Sequence, residues 1–72
     1  MLELQAKIVE EDDKKRDDII KSLGRFEKVI IRVVNDQIQI IFEGGEKEID
    51  AFAEIMRICE ISKCHMFRIR QR

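Results

Sequence analysis

Tryptophan, tyrosine, threonine and proline are absent from the 72 residues, and cysteine occurs only twice. Without tryptophan or tyrosine, any stacking role falls to four phenylalanines, Phe26, Phe42, Phe52 and Phe67. Two cysteines, Cys59 and Cys64, sit close together near one end and cannot form a disulfide framework. A reducing, cytoplasmic setting is the simpler expectation. No apolar run approaches the ~20 residues that a membrane span needs. Charges at Glu3 and Lys7 interrupt the start, so no signal peptide is expected. A net charge of −1 gives no global pull towards nucleic acid. Apolar residues still make up 44% of the chain, too many for a disordered tail, so one domain over residues 1–72 is expected.

What is present is pattern, and it is clearest between Val29 and Glu43. With Asn35-Asp36 as a two-residue turn, Val33 faces Ile38, Ile31 faces Ile40 and Val29 faces Phe42. All six would share one side of a β-hairpin. The other side receives Val34/Gln37, Arg32/Gln39 and Ile30/Ile41. A slip of one residue would scramble this sorting, because side chains alternate faces along a strand.

Leu2, Leu4, Ala6 and Ile8 alternate with polar residues, which predicts a first strand. The charge run from Glu10 to Asp18 leads with acids, as a helix N-terminus prefers, and Asp12 or Asp13 can cap it. Ile19, Ile20 and Leu23 supply its apolar stripe, and Gly24 is a candidate C-cap. A second helix is expected over residues 46–61, with Ile49, Phe52, Ala53, Ile55, Met56 and Cys59 on one face. The last strand, 65–71, is expected to turn Phe67 and Ile69 inward and Met66, Arg68 and Arg70 outward.

Strand, helix, strand, strand, helix, strand is the α+β, ferredoxin-like βαββαβ order, with a four-stranded antiparallel sheet, strand order 4-1-3-2, and both helices on one face. A helical N-terminal segment would instead give αββαβ and a three-stranded sheet.

The uncovered sheet face would carry Ile30 paired with Ile41, with Val34, Val9 and Met66 in range. Exposed apolar area of this kind marks association sites. The expected partner-binding residues are Ile30, Arg32, Ile41, Met66, Arg68 and Arg70. The simplest partner is a second copy in a two-fold homodimer. A larger protein partner, bound as an inhibitor or adaptor would be, is the other. Nucleic acid is the weaker rival: Lys7, Lys28, Arg32, Arg68, Arg70 and Arg72 offer phosphate contacts, but three of the four phenylalanines are expected inside, and Phe26, at the start of a strand, can pack under the first helix.

Chemistry finds little purchase. Cys64 and His65 are adjacent, yet strand neighbours point to opposite faces and cannot form a nucleophile–base pair. Cys59, Cys64 and His65 fall one ligand short of a structural zinc site. Gly44-Gly45 could cradle an anion, but Glu43, Glu46 and Glu48 surround it. Asp50 lies on the polar side of its helix. No catalytic residue, metal or cofactor is therefore expected.

The run Gln39-Ile40-Ile41-Phe42-Glu43-Gly44, followed by a helix containing Phe52, resembles the later half of the acylphosphatases. That family's glycine-and-arginine phosphate loop would follow the first strand. Here Glu10-Glu11-Asp12-Asp13 stands in that place and would repel the anion, so the activity is not expected. ACT-type regulatory domains share the topology and bind amino acids at dimer interfaces, which makes a small-ligand regulatory domain a further alternative. Topology alone assigns no function.

Overall fold

The computed structural model describes residues 1–71, and of residues 68 and 71 the backbone alone. Strand β1 (Leu2–Val9) leads to helix α1 (Asp13–Gly24), strands β2 (Val29–Val34) and β3 (Gln37–Gly44), helix α2 (Ile49–Ile61) and strand β4 (Lys63–Gln71). A 3-10 turn over Glu46–Glu48 opens α2. The N-terminal segment is therefore strand, and the three-stranded alternative falls away. The sheet has four antiparallel strands in the order β2-β3-β1-β4, which read from the other edge is 4-1-3-2. Among the described residues, no helix is long and apolar enough to cross a membrane.

The hairpin has the register its alternation dictates, from Val29 opposite Phe42 to Val34 opposite Gln37. Asn35 takes a left-handed φ of 56° at the turn, a conformation asparagine tolerates better than most residues. The tip is tied back to the β1–α1 junction, where the Glu10 N–H donates to the Asp36 carbonyl at 2.8 Å.

One cluster forms the core. Leu4, Ala6 and Ile8 of β1, Val29 of β2, and Ile38, Ile40 and Phe42 of β3 meet Leu23 of α1 and Ala51, Ile55 and Ile58 of α2. Both helices thus lie over the same side of the sheet. Asp12 caps α1 by accepting from the Lys15 N–H at 2.9 Å. Gly24, a candidate C-cap, is instead the last residue of the helix, without a positive φ, and Arg25 is the C-cap. The helix closes instead through the Phe26 N–H, which donates to the Leu23 carbonyl at 3.2 Å.

The buried stripe of α2 is Ala51, Ile55 and Ile58, at i, i+4 and i+7, with Phe52, Met56 and Cys59 half-buried beside it. Ile49 and Ala53 are exposed, contrary to expectation. Apolar residues occupy more of this helix's circumference than one sheet can cover, and these two lie furthest round from the stripe.

The main correction concerns β4. Met66 pairs with Ala6, but Arg68 pairs with Gln5, so Phe67 is an extra residue in the strand, a β-bulge. Cys64 and Met66 lie opposite Ile8 and Ala6 on the core side. Phe67, expected inside, is 57% exposed. The bulge reverses the strand's phase, so Met66 packs half-buried on the core side, while Ile69, also expected inside, lies opposite Leu4 but is 55% exposed at the open edge of the sheet.

Candidate functional site: the uncovered sheet face

The face opposite the helices is set by the odd positions of β1 and β3 and the even positions of β2. Register lines these up in rows: Ile30, Ile41 and Gln5; then Arg32, Gln39, Lys7 and His65; then Val34, Gln37, Val9 and Lys63. Ile30 is 63% exposed and Ile41, directly opposite it, 45%. Arg32 and Arg70 are exposed, and Arg70 lies opposite Glu3.

Two expected site residues change status. Met66 packs against the core on the other side of the sheet, because the bulge that follows it restores outward phase only later in β4. It is also far from Ile30, since β2 and β4 are opposite edges. The Arg68 side chain and Arg72 lie outside the described residues; the Arg68 backbone pairs with Gln5. The face therefore has separate apolar points, Ile30/Ile41, Phe67 and, beside the hairpin turn, Val34, divided by Arg32, glutamines and Lys7 rather than joined in one patch.

The first point is the Ile30/Ile41 corner. It opens onto a shallow depression of about 410 Å³ that Met1, Glu27, Lys28, Glu43 and Glu48 help to line. Three carboxylates against two ammonium groups, Lys28 and the Met1 N-terminus, leave this rim weakly acidic. The second point is Phe67. The His65 ring meets it edge-on at a centroid distance of 4.6 Å, and Lys7 Nζ lies 5.7 Å from its ring centre. Sequence reasoning missed this group, because period-two alternation carries no sign of an inserted residue.

The groups weighed for catalysis are dispersed. Cys64 faces the core beside Ile8, whereas His65 lies opposite Lys7 on the uncovered side. Cys59 and Cys64 are free, half-buried thiols. Burial pushes the Cys59 thiol up to about 12, and the neighbouring Cys64 adds to the shift. A thiol held this firmly protonated is a poor nucleophile at neutral pH. No group of three or more His, Cys, Asp or Glu side chains among the described residues could hold a metal ion. At Gly44-Gly45 the Gly45 N–H donates to Glu48 Oε2 at 2.8 Å, which occupies an amide an anion would need. A Cβ on Gly44 would come within 2.9 Å of Glu48 Cβ, so this glycine answers to packing.

On the helix side, Glu54 joins the two helices. Its carboxylate accepts from Ser22 Oγ at 3.1 Å and pairs with Arg57 and, at 3.5 Å, with Arg25. The Arg57 hydrogen bond, with help from Ser22 and Arg25, holds the carboxyl below its ordinary value against the opposing effect of burial. All its partners are on the protein itself, as expected of a structural clasp.

No protein-family model matches the chain, and neither the curated proteins nor the solved structures contain a significant match to it.

Proposed function

We propose that the chain is a small, non-enzymatic protein-binding module of ferredoxin-like architecture that docks a partner on the Ile30/Ile41 corner. The observation that carries this is the direct cross-strand pairing of two exposed isoleucines on the face the helices leave uncovered. Exposed apolar pairs in a polar surround are where association gains most from excluding water. The weakly acidic rim fits a protein surface that offers an apolar side chain flanked by lysine or arginine. A regulatory inhibitor or adaptor would use such a face. The test is capture of partners on the immobilised chain, with Ile41→Lys as control. Ile41 is exposed, so the variant keeps its fold. Loss of the partners in the variant supports the reading, and equal capture defeats it.

A second reading has one observation in its favour. Phe67 is an exposed ring with Lys7 and His65 beside it, which is the stacking-plus-cation arrangement single-stranded nucleic acid uses. Titrating a labelled single-stranded oligonucleotide at low and high salt decides it. Binding that weakens steeply with salt and is lost in Phe67→Ala supports this use of the face. No binding at low salt removes it.

A further inference from the structure

The two edges of the sheet are built differently. β4 carries a bulge at Phe67 and exposed Lys63, His65 and Arg70 along its length. Bulges and charges are how an edge strand avoids pairing with another chain. β2, the opposite edge, has no bulge and a single charge, Arg32. In its sequence VIIRVV every residue but Arg32 is β-branched, and its ladder to β3 runs without a register shift.

Its free backbone groups follow from the turn. A two-residue loop makes Val34/Gln37 a hydrogen-bonded pair, so residues 30, 32 and 34 direct N–H and C=O towards β3. Residues 29, 31 and 33 direct theirs away from the sheet. Consistent with this, the Val29 N–H donates to the Phe26 carbonyl, at 3.4 Å. Among the described residues, no hydrogen bond from a loop or side chain reaches the backbone of Ile31 or Val33. Two adjacent outward positions of an apolar strand are thus unpaired.

We propose that two copies of this chain pair antiparallel through β2, about a two-fold axis at Ile31, joining their sheets into one. The register follows from faces and charge. Two-fold pairing that continues the sheet keeps opposed side chains on one face, so one residue lies directly opposite its own copy, with the axis between them. An axis at Arg32 would set guanidinium against guanidinium in directly opposed positions, which is destabilising. An axis at Ile31 sets Ile31 against its copy, Val29 against Val33 and Ile30 against Arg32. The core-side row of the join is then entirely β-branched, covering Val33, which is 45% exposed. On the other face each arginine stem lies over the second copy's Ile30. The Ile31 residues exchange both hydrogen bonds, and each Val33 N–H meets the Val29 carbonyl of the other copy. The pairing does not rest on what the Ile30/Ile41 corner binds.

Sedimentation equilibrium on the full chain tests the pairing with three variants at exposed positions. Far-UV circular dichroism confirms that each is folded. The wild type is expected to be a dimer. Ile30→Lys places like charge against Arg32 and should raise the dissociation constant roughly tenfold or more. Ile30→Glu places opposite charge there and should retain or tighten the dimer. Ile41→Lys, one strand in from the edge, should leave it unchanged. In the wild type, exchange of the Ile31 and Val33 amides should slow as concentration rises. A wild type that stays monomeric overturns the proposal. So does a dimer that Ile30→Lys, Ile30→Glu and Ile41→Lys all break alike, since that is contact through the face. A dimer in which the Ile31 and Val33 amides gain no protection overturns it equally.

Discussion

Gly24 and Gly44 stand at element ends, and their neighbours give them opposite tolerance for a methyl group. Gly24 lies in the last turn of α1 with no positive φ, and a Cβ built there meets nothing within 4 Å. Gly24→Ala should therefore stabilise the protein by about 0.4–1 kcal/mol, chiefly by narrowing the unfolded ensemble. Gly44 is buried, and a Cβ would sit 2.9 Å from Glu48 Cβ and 3.0 Å from Phe42 Cζ. Glu48 cannot retreat freely, because its carboxylate holds the Gly45 N–H. Gly44→Ala should cost about 1–3 kcal/mol, as overpacking does. Urea midpoints of the two variants should move in opposite directions. In the sequence both glycines read simply as terminators of an element. What separates them is the approach of the 3-10 turn to β3, a tertiary contact with no local signature.

At the scale of elements, legibility followed the integrity of the repeat. The β2–β3 register was readable because β3 alternates and a recognisable turn then sets Arg32 opposite Gln39 and six apolar residues together on the other side. In β4 the inserted Phe67 breaks the alternation, and Met66 and Phe67 exchange faces relative to a straight reading. The candidate site suffered for it: Ile30, Arg32, Ile41 and Arg70 lie on the uncovered face as expected, while Met66 was expected there and packs on the core, and Phe67 was expected inside and is exposed. Helix α2 was recognised, and Ile55, Phe52, Met56 and Cys59 do face the core, but Ala51 and Ile58 were left off its buried stripe, since Ile49 and Ala53 are as apolar as the residues that win burial. The clasp between helices could not be foreseen either, because Ser22 and Glu54 are 32 residues apart. It has a consequence in acid. The Glu54 carboxyl titrates below its ordinary 4.5, so the folded state holds it ionised where the unfolded chain would take up a proton. That contribution is complete above about pH 4.5, and is lost as pH falls through the depressed folded value. Glu54→Gln should be less stable than wild type near neutrality, and the gap should narrow on acidification below pH 4.5. A gap independent of pH in thermal melts would mean that the carboxylate charge contributes nothing. The site is partly open to water, which keeps the effect modest.

The whole molecule faces the difficulty of its size. A chain this short removes only about 60% of its unfolded surface from water, so its margin of stability is thin. Here Ile30, Val33, Val34 and Ile41 remain exposed together along the β2 edge and its neighbour. Pairing through β2 would bury part of that area and couple folding to concentration. If two unfolded chains give one folded dimer, each tenfold rise in concentration adds about 1.4 kcal/mol per dimer, a shift of a few degrees in Tm for a domain this small. Wild-type melts across two decades of concentration should show that slope. Ile30→Lys should flatten it, because its lysine opposes Arg32 across the join. Ile41→Lys should preserve it, because Ile41 pairs inside the subunit. A wild-type Tm that does not move with concentration would show that the exposed edge adds nothing to stability. The core between the helices and the sheet would then have to supply the whole margin alone.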